Sequence, residues 1–466
     1  MLTRRQWMGA AAAPLIAQPR PRNILFLIAD DLGLHTGAYG DRTAVTPHLD
    51  QLAAEGTRFT HAFCTTASCS PSRSVMLTGL HTHTSGQYGL AHAPHHQSML
   101  PQCRPLPALL HAAGYKTGVI GKLHVEPARA FPWDWNEAAD NGRNGVAMAA
   151  KARQFVEAAG RSPWYLHVGF TDPHRAPQGF ANRDYPGVTR QKFDPAKVPV
   201  PSFLPDNAAV REEMAEYYES VHRLDQGVGA FVKMLKDAGQ YDHTLIVFVS
   251  DHGIPFPNSK TTLYDSGTRL PLIVRHPDAG ARGVASDALV SFADLTPTFL
   301  DWSQARGPEY ALAGRSILPL VGRPTATGWE EVYFSHQFHE ITMYYPMRGI
   351  RTRRYKYIRN LAHGLPFPFA NDLWNSKTWQ SLRVLGESAR LGQRTVKDYL
   401  HRPEEELYDL EADPLEVRNL AARPEHRLLR DQLRTRVQEW RRATRDPWLI
   451  LSRHSGEDPA GPAPLD

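Results

Sequence analysis

The chain has 466 residues, of which 42% are hydrophobic and 22% are charged, and this ordinary globular composition argues against a disordered protein. Lysine and arginine number 53 against 48 aspartates and glutamates; this excess suits an anionic substrate but is too weak to indicate a nucleic-acid-binding protein. The chain contains only three cysteines, Cys64, Cys69 and Cys103, which does not indicate a disulfide framework. A single disulfide between Cys64 and Cys103 is still an option.

The N-terminus carries a segment that looks like a targeting signal. Arg4 and Arg5 precede an alanine-rich apolar stretch that ends near Ala17 and is too short to span a bilayer. An arginine pair in this position resembles a twin-arginine export signal. We therefore predict that residues 1–18 direct export to the periplasm or the extracellular space and that the protein has no transmembrane span. The alternative is a frayed, partly apolar N-terminus.

Short apolar strands alternate with helices over residues 20–325. The strand candidates are apolar throughout, which is typical of strands covered by helices on both faces. These strands are residues 24–29, 118–120, 164–170 and 245–250, and the helices include residues 47–55, 106–113 and 211–238. The alternation predicts an α/β domain with a large central, mixed but mostly parallel sheet.

The character of the chain changes in its last third. Residues 331–335 and 354–359 are short, aromatic and arginine-rich, and they predict a smaller C-terminal domain on an antiparallel sheet over residues 326–450. Residues 427–444 carry apolar side chains at helical spacing, which favours a docked amphipathic helix over a polyanion-binding one. We expect residues 455–466 to form a disordered tail.

Each of the four strands of the larger domain runs into a polar cluster. In chain order, the clusters are Asp30 and Asp31, Lys122 and His124, Asp172 and His174, and Asp251 and His252. In open α/β sheets, ligands bind beyond the carboxyl ends of the strands. We therefore expect these clusters to meet in one site.

The most specific motif follows the first helix. It consists of Cys69, Pro71, Ser72 and Arg73, followed by Leu77, Thr78 and Gly79. With this spacing the chain resembles the sulfatase family, and the resemblance implies an alkaline phosphatase-like fold. A second family motif consists of Gly114, Tyr115, Lys116 and Thr117, followed by Gly121, Lys122, Leu123 and His124. Two motifs in family order make a chance similarity remote.

The resemblance implies that a separate maturation enzyme oxidises Cys69 to formylglycine, an aldehyde that hydrates to a geminal diol. One hydroxyl of a diol can attack sulfur, and the other can then lose a proton and expel sulfate, which a serine could not do. Pro71, near a helix start, would set the sulfate against exposed backbone amides. The alternative is a buried structural cysteine in a proline turn.

The resemblance also implies roles for several cations and imidazoles. Lys122 would contact the sulfate oxygens, His124 the formylglycine diol, and Lys260 would be a second sulfate-binding cation, with Arg73 in the same catalytic set. His174 is a candidate general acid, because an amine or alkoxide leaving group needs a proton as its bond to sulfur breaks. An imidazole titrates near neutrality and suits that task.

Three carboxylates point to a metal site. Asp30 and Asp31 are unfavourable side by side unless a cation neutralises them, and Asp251 adds a third set of oxygens that suits a hard divalent metal such as calcium. The resemblance places Cys69 in the same shell. His252 stands where the family often has asparagine, which leaves the identity of the metal open. Taken alone, the aspartate pair is also compatible with a helix N-cap.

Further segments resemble the sulfamidase subgroup of the family. They are residues 68–73, 88–90, 172–175, 225–229, 253–257, 339–343 and 345–348. The subgroup implies hydrolysis of the N-sulfate of a terminal glucosamine in heparan sulfate or heparin fragments, which are sulfated glycosaminoglycans. His339, Glu340 and Arg348, together with Asp172 and Arg175, are then candidates for substrate contacts. The alternative for the first three is a hydrogen-bonded domain interface.

Other functions stay open at this point. An O-sulfatase acting on a different glycan and a phosphonate or phosphate diester hydrolase of the same superfamily would use similar residues. A non-catalytic binder of sulfated glycans is disfavoured, because nucleophile, metal and acid candidates are all present. The sequence also leaves open the length of the substrate and the oligomeric state, with a homodimer among the options.

Overall fold

The computed structural model describes residues 22–139 and 141–449. The predicted export signal and the predicted tail lie outside these described residues. Within them, none of the helices combines the length and the apolar character that crossing a membrane requires.

An eight-stranded mixed sheet forms the larger part of the molecule. In chain order its strands are β1 (Asn23–Ala29), β2 (Thr57–Phe63), β3 (Lys116–Gly121), β4 (Trp135–Glu137), β5 (Trp164–Gly169), β6 (Thr244–Ser250), β7 (Arg269–Arg275) and β8 (Val284–Ser291). Their spatial order is β4, β3, β5, β1, β6, β7, β2, β8. β7 runs antiparallel to both of its neighbours, and every other pair is parallel. The predicted mostly parallel α/β sheet is confirmed.

Helices cover both faces of this sheet. They are α1 (Pro47–Ala54), α2 (Cys69–Thr78), α3 (Thr82–Ser85), α4 (Leu106–Ala112), α5 (Gly145–Ala159), α6 (Ala208–Asp237), α7 (Asp265–Thr268) and α8 (Leu295–Ser303). On β1, Leu25 and Leu27 pack with α1, α5 and α6, whereas Phe26 and Ile28 pack with α2, α4 and α8. Because both faces are covered, every residue of β1 is buried, and this explains its unbroken apolar run.

A second, antiparallel sheet forms in the C-terminal region. Its strands are β9 (Glu331–His336), β10 (Met347–Thr352), β11 (Tyr355–Asn360) and β14 (Glu405–Asp409), and β12 (Arg390–Leu391) and β13 (Arg394–Thr395) form a separate hairpin. The helices are α9 (Asn371–Trp374), α10 (Lys377–Arg383), α11 (Val396–Leu400) and α12 (Arg427–Ala443). Leu433 and Val437 of α12 pack against the buried Ile350, Tyr357 and Leu407 of the sheet, so α12 is a docked amphipathic helix.

All three cysteines are buried free thiols. The Cys64 thiol donates to the carbonyl of Gly267 at 3.7 Å, and the Cys103 thiol donates to the carbonyl of Ser85 at 3.5 Å. The bridge between Cys64 and Cys103 that the sequence left open is therefore absent.

A buried ion pair joins the C-terminal sheet to the segment after α12. Nε and Nη2 of Arg348 donate to the two carboxylate oxygens of Asp446 at 2.8 and 2.9 Å, and both side chains are fully buried. Arg441 donates to the same carboxylate at 2.7 Å. Burial opposes ionisation of Asp446, but Arg348 outweighs it and holds the pKa of this carboxyl well below its usual range.

We expect Arg348→Met to lower the free energy of unfolding by about 3 kcal/mol, because Asp446 would keep a buried charge that Arg441 alone compensates. Urea-induced unfolding measures the change. The control is Lys233→Met, which breaks an exposed pair with Asp237 and should cost less than about 1 kcal/mol. Equal losses in the two variants would contradict the role assigned to the buried pair.

Candidate active site

Four neighbouring parallel strands end at one edge of the larger sheet. β3, β5, β1 and β6 lie side by side in that order and pair in parallel. The polar residues that follow them therefore converge. Helix α2 begins at the same edge with Cys69, and it is fixed there because Ser72 Oγ donates to the carbonyl of Asp251 at 2.6 Å.

The Cys69 thiol lies at the centre of this site and is 1% exposed. Its Sγ atom is 3.2 Å from Nε2 of His252. Burial opposes the thiolate form, but Lys122 and Lys260 outweigh it and hold the pKa of the thiol well below its ordinary value. The surroundings of position 69 therefore favour a negative charge.

Three fully buried carboxylates face the thiol. Oδ1 of Asp30 accepts no hydrogen bond from the described residues, and Nη2 of Arg73 lies 3.6 Å from it. Burial and the neighbouring Asp30 raise the pKa of Asp251 to about 7. One ligand atom each from Asp30, Cys69, Asp251 and His252 lie within 4.8 Å of one another. The carboxylates of this cluster suit a hard divalent cation, whereas the thiol and the imidazole are softer ligands.

The adjacent Asp31 adopts an unusual backbone conformation that turns it into the site. Its φ of 67° is left-handed, and its backbone N–H donates to Oδ1 of Asp251 at 3.1 Å. Its own Oδ1 lies 3.0 Å from Nε2 of His252. Burial opposes ionisation, but Lys260 outweighs it and lowers the pKa of Asp31 to about 2. Left-handed backbone outside glycine is often found at functional sites.

Three cations hold these carboxylates in place. Arg73 donates from Nε to Asp251 at 3.0 Å and from Nη1 to the carbonyl of Lys122 at 2.9 Å. The Lys122 ammonium donates to Asp30, and Nζ of Lys260 donates to Asp31 at 3.1 Å. Arg73 and Lys260 are fully buried. The structure thus brings together Arg73, Lys122 and Lys260, the three cations that the sequence placed in the catalytic set.

His174 reaches the same pocket. Its Nδ1 lies 2.6 Å from the carbonyl oxygen of Arg175, and because a carbonyl only accepts, Nδ1 donates there. Nε2 then faces the site, 3.3 Å from Nζ of Lys260 and 3.8 Å from Asp31. Burial and Lys260 oppose protonation, but Asp31 and Asp30 outweigh them, so the pKa of His174 is raised. The carboxylates therefore favour the protonated imidazole, which is the form that can donate a proton.

Two further histidines border the thiol. Nε2 of His124 lies 2.6 Å from Nδ1 of His92, and burial, with Lys122, lowers the pKa of His124 to about 4. Nδ1 of His339 lies 2.8 Å from Oγ of Ser68, which directly precedes Cys69. Burial and Lys260 lower the pKa of His339 to about 3. Both predicted residues are in place, whereas His92, which has no motif around it, was missed.

The site also contains a carboxylate that sequence reasoning missed. Oδ2 of Asp372 accepts a hydrogen bond from Nζ of Lys260 at 2.7 Å and lies 3.9 Å from Nε2 of His174. Oε1 of Glu340, a predicted sugar contact, accepts from the backbone N–H of Asn371 at 2.7 Å and so supports the start of α9. No local pattern marks Asp372, because its partner Lys260 is 112 residues away in the chain.

The structure places three predicted substrate contacts in buried ion pairs instead. The Asp172 carboxylate accepts from Arg143, Ser220 and Arg223, and the Arg175 guanidinium makes two hydrogen bonds to Glu213; Arg348 pairs with Asp446. The polar atoms of these side chains thus bond to other groups of the protein. We therefore correct the prediction and assign Asp172, Arg175 and Arg348 to support of the fold.

Comparison with known proteins agrees with the motifs. A family model described as Sulfatase matches residues 22–305, and one described as N-sulphoglucosamine sulphohydrolase, C-terminal, matches residues 255–365. The human N-sulphoglucosamine sulphohydrolase is 40% identical to this chain, over 93% of this chain and 92% of its own length.

Two solved structures share the fold at lower sequence identity. A protein in complex with its substrate D-glucosamine-2-N,6-O-disulfate has a TM-score of 0.67 and 21% identity, over 92% of this chain and 99% of its own. The phosphonate monoester hydrolase of Agrobacterium radiobacter has a TM-score of 0.68 and 19% identity, over 91% of this chain and 96% of its own. The family model spans more than half of the chain, and the human relative aligns along nearly all of it, so this chain belongs to the sulfatase family.

Proposed function

We propose that this chain hydrolyses the N-sulfate of terminal glucosamine residues in heparan sulfate or heparin fragments. The observation that carries this proposal is the 40% identity to human N-sulphoglucosamine sulphohydrolase along 93% of the chain. The C-terminal family model of the same enzyme supports it independently of the general sulfatase motifs. The ammonium groups of Lys122 and Lys260 near Cys69 offer the positive charge that a sulfated substrate needs.

Position 69 would provide the nucleophile. A formylglycine formed from Cys69 by a separate maturation enzyme would supply, as its hydrate, an oxygen nucleophile and a route for releasing sulfate. Lys122 and Lys260 would bind the sulfate oxygens, since their ammonium groups already lie beside this position. His174 would donate the proton of Nε2 to the leaving nitrogen. These roles require no movement of Lys122, Lys260 or His174 from their positions in the structure.

A divalent cation, calcium or another, would be held by Asp30, Asp31 and Asp251, with position 69 and His252 beside them. It would supply positive charge that offsets the charge of the sulfate. The Oδ1 atom of Asp30, which accepts no hydrogen bond from the described residues, supports this assignment, as does the pKa of Asp251, which burial and Asp30 raise.

We also keep the organisation inferred from the sequence as a proposal. Residues 1–18 would act as a twin-arginine export signal that leads to the periplasm or the extracellular space. Residues 20–325 would form the catalytic domain, and residues 326–450 the smaller domain. The family match begins at residue 22, which supports a boundary between the signal and the catalytic domain near residue 20.

Substrate choice tests the proposal directly. After co-expression with a formylglycine-generating enzyme, we expect kcat/KM for sulfate release from N-sulfoglucosamine to exceed that for glucosamine 6-O-sulfate or a phosphonate monoester by about tenfold or more. Cys69→Ala should abolish turnover without changing the unfolding midpoint. The peptide that contains position 69 should be lighter by one sulfur and two hydrogens less one oxygen. Turnover of only the 6-O-sulfate or only the phosphonate would refute the N-sulfatase assignment.

Leaving-group dependence tests the role of His174. We expect His174→Asn to lower kcat for N-sulfoglucosamine by about 10² to 10⁴, because the leaving nitrogen then lacks a proton donor. The loss should be far smaller for 4-nitrophenyl sulfate, whose leaving phenolate needs no proton. His401→Asn, which changes an exposed histidine, serves as the control. A uniform loss on both substrates would argue against a proton-donor role.

Metal removal tests the carboxylate cluster. We expect exhaustive chelation to lower both Tm and activity, and calcium to restore them, because a ligand that binds only the folded protein at about 100 times its Kd stabilises it by about 2.7 kcal/mol. Asp31→Asn should abolish the calcium-induced rise in Tm, whereas Asp237→Asn, which changes an exposed carboxylate, should keep it. An unchanged rise in Asp31→Asn would contradict the site.

A further inference from the structure

Asp372 is the carboxylate that the proposed mechanism does not use. It lies on α9, which belongs to the C-terminal region, 112 residues after Lys260. Its side chain is 20% exposed, so part of it is accessible to solvent. Its Oδ1 atom is buried and has no hydrogen-bond partner among the residues that the structure describes.

The negative charge of Asp372 is unfavourable for binding sulfate. Lys260 is already neutralised by Asp31, whose Oδ2 lies 3.1 Å from Nζ, and Asp372 adds a second carboxylate at 2.7 Å. A second negative charge on this lysine weakens its attraction for an anion. Asp372 does not belong to the carboxylate cluster that fits a metal ion. Lys260 alone cannot neutralise both carboxylates, so Asp372 can bind a further positive group.

The chemistry of a sulfamate provides such a partner. As the sulfur–nitrogen bond breaks and sulfur bonds to the oxygen nucleophile, the electron pair stays on nitrogen. One proton, from His174 Nε2, makes the leaving group a neutral amine, and a second proton, from water, makes it an ammonium ion. Cleavage of a sulfate ester with one proton gives a neutral alcohol instead. Only the sulfamate thus generates a cation on the leaving side.

The position of Asp372 matches that side of the reaction. The leaving nitrogen must lie within hydrogen-bond reach of Nε2 of His174 to receive its proton, and Oδ2 of Asp372 is 3.9 Å from that atom. A carboxylate at this place is next to the nitrogen, and Oδ2, which accepts one hydrogen bond from Lys260, has capacity for a second one. Nζ of Lys260 contacts both Asp372 and His174, so the three side chains are neighbours.

The C-terminal region holds this carboxylate firmly. Glu340 accepts from the backbone N–H of Asn371, which precedes Asp372. Leu373, which follows it, packs in a small buried cluster with Met343 and Ala370. The residues on both sides of Asp372 are therefore anchored, so its side chain is presented to the pocket in a defined position.

We propose that Asp372 is a specificity-determining residue that binds the amino group of glucosamine, as ammonium, and so favours N-sulfate over O-sulfate hydrolysis. This inference rests on the proposed N-sulfatase function and extends it to a residue of the C-terminal region. Asp372 contributes a charge-assisted hydrogen bond that the alcohol product of an ester cannot match.

Product inhibition tests the inference without relying on turnover of a particular substrate. At about pH 6, where the amine is protonated, we expect glucosamine to inhibit 4-nitrophenyl sulfate hydrolysis about tenfold or more strongly than glucose, which carries a hydroxyl in place of the ammonium. Asp372→Asn should remove this preference, and Asp372→Glu should retain it. Equal inhibition of the wild type by the two sugars would overturn the inference even if the variants fail to fold.

Turnover provides the second readout. We expect Asp372→Asn to lower the ratio of kcat/KM for N-sulfoglucosamine to that for 4-nitrophenyl sulfate by about tenfold to a hundredfold. Glu387→Gln, which removes an exposed carboxylate in the same region, should leave the ratio unchanged. A residue that only positions Lys260 would instead change both substrates, and inhibition by inorganic sulfate, to the same extent, and this result would overturn the inference.

The two proposals fail in different ways. If the wild type hydrolyses 4-nitrophenyl sulfate but no N-sulfoglucosamine, the proposed N-sulfatase function is refuted, together with the inference that rests on it. If the wild type hydrolyses N-sulfoglucosamine and Asp372→Asn keeps both the substrate ratio and the preference for glucosamine, only the role of Asp372 is refuted.

Discussion

Mutual neutralisation of buried charges at the carboxyl edge of the large sheet is the constraint on which this site depends. Asp30, Asp31 and Asp251 are fully buried, and Arg73 and Lys260 are buried with them. An unpaired ion in such surroundings costs several kcal/mol. Each group is therefore held by its opposite charges, and the cluster fixes the position of α2 and of residue 69 relative to the strand ends.

The same balance gives the site its chemical character. Oδ1 of Asp30 accepts no hydrogen bond from the described residues, and burial and Asp30 raise the pKa of Asp251 to about 7. A bound cation would be stabilised by these carboxylate oxygens. Lys122 and Lys260, which now pair with Asp30 and Asp31, would then be available for an anionic group.

The C-terminal region is part of this chemistry as well as of the fold. His339 hydrogen-bonds the residue before Cys69, and Asp372 pairs with Lys260. Structures with a TM-score near 0.67 include a phosphonate monoester hydrolase and a protein crystallised with a disulfated glucosamine, so the shared fold does not decide the substrate. Groups on the leaving side of the pocket, such as Asp372, are where such a choice can be made.

The sequence alone was sufficient for the elements and residues that local patterns describe. Strands β1, β3, β5 and β6 were predictable because strands covered on both faces are continuous apolar runs. β2 was not predicted, because its burial is mixed and it carries Arg58, Thr60 and His61. Asp30, Lys122, His174 and Asp251 were predictable as site residues from their positions after strand ends, since polar residues directly after buried parallel strands share one edge of the sheet.

Only the tertiary structure decided which charged groups serve the site and which serve the fold. Asp172 and Arg348 looked like site residues, but Arg223 and Asp446 neutralise them across 51 and 98 residues of chain. Asp372 had no motif, yet it meets Lys260 across 112 residues. The physical reason is that the energy of a buried charge depends on its neighbours in space, and these neighbours come from segments that no local pattern connects.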